Sequence, residues 1–369
     1  MRKILFVALI LAVAFGGYLA FTTVDSKTPV AAAGKVYSAT LYVAGMGGHF
    51  AKAEVTIDPS NTDDPIKIDD LDMLSIGTHK THPTHDARID SNDKNTMFWS
   101  TYKLDGEDLH VGKSNLKTGE VIKDVTFKNP SRASWVGANF CASGQSKTSY
   151  IPVSMSNEGY IDVYDKETLE LKHRLWIGDL GEGINCGAGE YTFAHGINTP
   201  DMKSFLLTLN KTPDGHTKWT GNTELIMLDM AALENGEFKV LAKNTITGTA
   251  GKTITFRQYF SLDGKHLFQS GGDRGYMIDA KTLKVLDEIT PLVGENHDIM
   301  PTPDGKYAVM TLREKIKDKK GEEIVDGTIL LYDVEAMKTI GKSKSVCYDC
   351  HKKVGKGKAV LCGLDANWN

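Results

Sequence analysis

Residues 160–177 read YIDVYDKETLELKHRLWI, in which the run Tyr160 to Asp165 is followed by Lys-Glu-Thr and then a second run from Leu169 to Ile177. Two apolar runs joined by Asp-x-x-Thr are two strands and a tight turn. Period-two patterning buries one face of each strand, and the Asp and Thr side chains hydrogen-bond the turn backbone. The device recurs as AEVTIDPSNT at Asp58, VGKSNLKTGEVIKDV at Asn115, LIMLDMAALENGEFKVLA at Asp229, GYMIDAKTLKVLDEI at Asp279 and TILLYDVEAMKTI at Asp333. Successive anchors lie 57, 50, 64, 50 and 54 residues apart. A strand-rich unit repeating at about 50 residues is the signature of propeller blades, whereas a large β-sandwich needs no fixed period.

A second hairpin precedes most copies: RIDSNDKNTMFWST from Arg88, NTPDMKSFLLTL from Asn198, FSLDGKHLFQSG from Phe260 and PTPDGKYAVMT from Pro301. Asp-Gly or Asp-Lys supplies the turn. Two hairpins per repeat make a four-stranded blade, and radial repetition protects the sheet edges. The expected fold is therefore all-β, a six- or seven-bladed β-propeller over 36–345. Seven is favoured because the 64-residue interval has room for a degenerate unit. The strand from Val36 has no partner of its own and is expected to close the ring with strands from the far end of the array.

The 369 residues are 41% hydrophobic and 24% charged, enough apolar mass to exclude disorder. A formal net charge of -4 gives no electrostatic reason to expect nucleic acid as a partner. Arg2 and Lys3 precede an apolar run from Ile4 to Phe21, and Ala31-Ala32-Ala33 follows a polar stretch. This reads as a signal peptide over 1–33, with retention as an anchor the alternative. Either way the body of the chain is expected to be extracytoplasmic, with no membrane span in the mature chain.

Three repeats carry His at one register just before the inner strand, His85, His195 and His297, while Arg257 and Gln258 lie at or near it in a fourth. Inner strands line a propeller's axis, so the imidazoles are candidates for a metal or haem site. The competing reading is hydrogen bonding between blades. His79, His82 and His85 form a local cluster, GTHKTHPTH, in which Pro83 forbids a helical face.

The most specific motif is SVCYDCHKK. Cys347, Cys350 and His351 match C-x-x-C-H, in which two thiols can form thioethers to haem vinyl groups and the His becomes the proximal iron ligand. Composition alone would produce it with a probability of roughly 0.002. Haem c is therefore the expected cofactor, with a bare disulfide or a vestigial motif as the alternative. Eighteen residues follow His351 and none is His or Met, so the tail, 346–369, is no self-contained cytochrome domain. The haem would rest against the propeller or a partner, and its iron would be five-coordinate, Lys-ligated or ligated from outside the tail. Lys338, Lys342, Lys344, Lys352, Lys353, Lys356 and Lys358 stand against one acid, Asp349, a set that would steer acidic partners or simply be solvated. Cys141, Cys186 and Cys362 allow one disulfide and one odd thiol. No catalytic motif such as G-x-S-x-G or H-E-x-x-H is present.

The repeats over 36–345 resemble YVTN-type β-propellers of exported redox proteins, the group that includes the propeller of cytochrome cd1 nitrite reductase. The blade set typified by YIDVYDKETLELKHRLWI also resembles the β-propeller subunit of hydrazine synthase from anaerobic ammonium oxidisers. That resemblance implies companion α and γ subunits whose haems combine nitric oxide and ammonium into hydrazine, and a structural role for the propeller. It implies the anammoxosome as the location, where the signal alone implies the periplasm. The expected function is a scaffold or electron-relay subunit of a haem-dependent oxidoreductase, partnered by haem-containing subunits or cytochromes. The alternatives are a stand-alone monohaem electron carrier and a propeller enzyme with metal or haem in its channel.

Overall fold

The computed structural model describes residues 35–369 except 46, 104, 131, 133–138, 157, 182, 185–190, 213–217, 318–319 and 347–360. Six four-stranded antiparallel sheets are formed among the described residues, five of them ordered from the axis outward in chain order. Blade 2 comprises Arg88–Ile89, Thr96–Ser100, Asp108–Asn115 and Val121–Lys128; blade 3, Phe140–Gln145, Ser149–Ser154, Tyr160–Asp165 and Leu171–Trp176. Blade 4 comprises Tyr191–Asn198, Ser204–Lys211, Asn222–Asp229 and Val240–Thr247. Blade 5 holds Gln258–Phe260, His266–Ser270, Gly275–Asp279 and Val285–Ile289, and blade 6 Glu295–Pro301, Tyr307–Lys317, Glu323–Asp333 and Lys338–Ser345. Burial follows this order: Phe140–Gln145 is buried throughout, whereas Val121–Lys128 has no buried residue. The fold is thus a six-bladed β-propeller.

Blade 1 draws on both ends of the array. Tyr37–Gly45, His49–Ile57 and Ile66–Ser75 form its outer three strands, and Leu361–Trp368 pairs antiparallel with Tyr37–Gly45 to become the innermost. Two corrections follow. The propeller does not end at residue 345, because the supposed tail contributes a strand. Among the described residues six blades are formed, and the favoured seventh is not supported. The 64-residue interval from Asp165 to Asp229 holds the outer strand of blade 3 and the first three strands of blade 4, with a 3-10 turn, Ile177–Leu180, between the two blades.

The Asp anchors act locally. The Asp165 carboxylate accepts from the N–H groups of Glu167 and Thr168, both at 2.9 Å, and Asp279 and Asp333 accept from Thr282 and Ala336 at 2.7 and 2.8 Å. The residue four after four of the six anchors turns left-handed: Leu169, Leu283 and Met337 have φ of 52°, 57° and 52°, and Gly119 has 76° after Asn115. Between blades the apolar faces interlock, as in the cluster of Leu41, Leu267, Leu331 and Leu364, which joins blades 1, 5 and 6. Burial of this kind stabilises by about 25 cal/mol per Å² of apolar surface.

Candidate functional site

The inner strands meet on the axis, and there the sequence places a buried guanidinium. Arg257 is 1% exposed. It donates from Nε to Asp298 Oδ2 at 2.9 Å and from Nη1 to Asp86 Oδ1 at 3.1 Å, and also to the carbonyls of His85 and Cys141. Asp86 also accepts from the Tyr150 hydroxyl, and from Ser100 Oγ at 3.3 Å. The closing strand enters the same network: the Leu364 N–H donates to Asp298 at 3.0 Å, and Asp365 accepts from the Ile89 N–H at 2.7 Å. Arg88 lies 3.8 Å from Asp365 and donates to the Tyr259 hydroxyl at 3.0 Å, which in turn donates to the Leu364 carbonyl. Gly363 is required here, since a Cβ would lie 2.5 Å from the His85 carbonyl oxygen and 2.6 Å from Arg257 Cζ.

Electrostatics at this plug follow from burial and partners. Burial pushes the Asp298 carboxyl up to about 6, against the pull of Arg257 and the Leu364 N–H. Asp365 is raised for the same reason, against Arg88. Burial opposes the charge of Arg257, but Asp298 and Asp86 overcome it and hold the guanidinium charged.

At the end of the axis where the inner strands begin lies a cavity of about 400 Å³ lined by His85, Tyr102, Phe193, Trp219, Phe256 and His297, among others. His85 stacks on Tyr102, with centroids 3.9 Å apart and planes at 20°, and its Nδ1 is 3.7 Å from Cys141 Sγ. Burial lowers its pKa. His297 stacks on Phe256 at 4.3 Å and 16°. Its Nε2 is 3.3 Å from Glu295 Oε1, and Arg313 Nη1 is 3.3 Å from Glu295 Oε2. Burial works against ionisation of Glu295, yet these two partners hold its carboxyl below the usual range. His195 turns its Nδ1 to the Phe193 carbonyl at 3.0 Å and meets Phe256 edge-on.

The structure therefore gathers His85 and His297 at one mouth and sets His195 behind Phe256. The three do not form a group whose donor atoms all lie within 4.8 Å of one another. Among the described residues the group that does is His82, His110 and Asp124. There burial alone would raise the Asp124 carboxyl, but hydrogen bonds from His110 and His82 take it well below its ordinary range. The Asp124 contact raises His110 in turn. His82 thus leaves the local cluster with His79 and His85 and pairs with blade 2. Cys347, Cys350, His351 and Cys186 lie outside the described residues. Cys362 lies in the closing strand, and Cys141 is buried against His85.

Arg257 and its two carboxylates went unread in the sequence as a unit. The signal was present in the repeated doublets His85-Asp86 and His297-Asp298, with Arg257 at the corresponding register of blade 5. Each doublet aims its His at the mouth and its Asp at the guanidinium.

No family model matches the chain, and no curated protein matches it. Among solved structures it is similar to the Pseudomonas aeruginosa periplasmic gluconolactonase PpgL, with 11% identity and a TM-score of 0.51, over 90% of this chain and 99% of that one. It is also similar to the Cps50 (Swd1) β-propeller domain of Myceliophteria thermophila, with 10% identity and a TM-score of 0.48, over 81% and 85%. At such identity the first likeness speaks for the propeller fold alone. No helix among the described residues is long and apolar enough to cross a membrane.

Proposed function

We propose that the chain is the β-propeller subunit of an extracytoplasmic haem-dependent oxidoreductase complex, of the kind hydrazine synthase represents, acting as scaffold or electron relay. Haem c would be held at Cys347 and Cys350, with His351 as proximal ligand. The observation that supports this reading is that the described residues on either side of the motif belong to the ring. Val346, buried at the end of blade 6, is one Cα step of about 3.8 Å from Cys347. At the other side of the link, Leu361 opens the closing strand, and the Gly363 N–H donates to the His85 carbonyl at 3.0 Å. The strand that follows the motif thus meets His85, a residue that lines the cavity.

The residues at that mouth suit a porphyrin edge in their chemistry: aromatic rings of Tyr102, Trp219 and Phe256 beside the imidazoles of His85 and His297. The group would supply one-electron transfer; the chain's own part is to cover it and to orient a partner. Lys338 and Lys342 are exposed on the outer strand of blade 6 for that purpose, while Lys344 is already paired with Asp64 at 2.6 Å.

The test is haem staining after denaturing electrophoresis of the exported protein beside Cys347→Ala. A stained band that the substitution removes is expected, together with co-purification of haem-bearing subunits. No band in the parent would overturn haem attachment. A redox-active monomer without partners would make the chain a stand-alone electron carrier instead.

A further inference from the structure

We propose that His82, His110 and Asp124 form a binding site for a divalent transition ion of the zinc class, away from the axial mouth and independent of any haem. The three residues come from separate parts of the chain. His82 ends the turn after Thr78, in the connection from blade 1 to blade 2, where its N–H donates to the Thr78 carbonyl at 2.8 Å. His110 lies on the third strand of blade 2 and Asp124 on its outer strand. Gly112 is the partner of Asp124, so His110 and Asp124 are diagonal neighbours on one sheet face.

The geometry is that of a ligand set. Both imidazoles turn a nitrogen to the same carboxylate: His82 Nε2 is 3.0 Å from Asp124 Oδ2, and His110 Nδ1 is 3.0 Å from Oδ1. The rings are 4.3 Å apart and tilted by 48°. A tetrahedral ion with ligand bonds of about 2.0–2.1 Å has ligand-to-ligand edges of about 3.3 Å, near the two 3.0 Å nitrogen-to-oxygen contacts, and the three donor atoms all lie within 4.8 Å of one another.

The opposite nitrogen of one ring is held as it is in metal-ligating histidines: His82 Nδ1 is 2.8 Å from Thr81 Oγ1. Such an outer oxygen fixes ring orientation and tautomer. His110 Nε2 is buried without a hydrogen-bond partner among the described residues, with the Asp105 carboxylate 4.0 Å away. His82 is also confined by packing, because a Cβ on Gly77 would lie 2.2 Å from its Nδ1. Two nitrogens and one carboxylate suit zinc, copper or nickel rather than calcium or magnesium. The histidine side chains are 12% and 10% exposed and that of Asp124 32%, which leaves the solvent side for a further ligand. A bound ion would clip the blade 1 to blade 2 connection onto the outer hairpin of blade 2.

The experiment strips the full chain with chelator, titrates it with Zn²⁺ by calorimetry and with Co²⁺ by absorption, and repeats both on Asp124→Asn and His82→Gln. Binding of one ion is expected, with cobalt bands of nitrogen and oxygen ligation. At least one folded variant should bind about 100-fold more weakly, with folding checked by circular dichroism. Absence of one-to-one binding, or equal binding by the folded variants, would overturn the site. Thiolate-to-cobalt bands would also overturn it, by assigning the ion to cysteines.

Discussion

The centre of the ring and its mouth use the same inner strands, and within a few residues they do opposite things with buried polarity. At the centre each carboxylate is matched: Asp86 and Asp298 to Arg257, and Asp298 and Asp365 also to backbone N–H groups. At the mouth, His85 and His297 stack on aromatic rings and face a cavity. Adjacent residues thus divide the work, since His85-Asp86 and His297-Asp298 each send one side chain to either region. The centre is occupied by ring closure. The mouth is where a ligand or partner has room.

The largest effect that would break this contrast is loss of the plug. Arg257→Ala leaves Asp86 and Asp298 buried without their cation, and removing one partner of a buried ion pair costs about 3–5 kcal/mol. Urea unfolding should show a loss of that size. A loss below 1 kcal/mol would mean that the network does not hold the ring.

Next comes the pH dependence of Asp298, whose folded pKa of about 6 lies above the ordinary carboxylate value. The folded state then holds the proton between about pH 4 and 6 where the unfolded state has lost it. This residue's contribution is therefore fully present below about pH 4 and falls as pH rises through 6. Asp298→Asn mimics the protonated form. Its stability relative to the parent should improve by up to about 3 kcal/mol from pH 4 to pH 7, at about 1.4 kcal/mol per pKa unit. A flat difference across that range in paired urea titrations would show that Arg257 keeps Asp298 ionised at low pH.

The smallest effect belongs to the mouth. His297→Asn gives up a ring stack and the Glu295 contact, and unfolding should change by only about 1 kcal/mol. A loss as large as that of Arg257→Ala would erase the distinction between plug and mouth.

What the sequence made legible was local. An Asp-x-x-Thr turn is written within four residues, because its carboxylate caps N–H groups two and three positions on, as at Asp165. Repetition of that turn then exposes the blades. The blade count misled because anchor spacing does not separate a long connection from an extra sheet, and the described strands after Asp165 are only the last of blade 3 and the first three of blade 4. The plug was hidden for a different reason. Arg257 and Asp86 stand 171 positions apart, and no local pattern couples them; only closure of the ring makes them neighbours. His82 was grouped with His79 and His85 by proximity in the chain, whereas the sheet pairs it with His110 and Asp124.

Closure by Leu361–Trp368 also has a mechanical consequence. Ala39 pairs with Trp368 and Gly45 with Leu361, so the two ends of the propeller leave the ring side by side. Tension applied between them would open the seam like a zipper, one hydrogen-bonded pair at a time from the Trp368 end, rather than shear all the pairs together. Force from opposite ends of the chain would therefore find this ring at its weakest, and its resistance would rest on the Asp365 and Leu364 contacts reached a few pairs in.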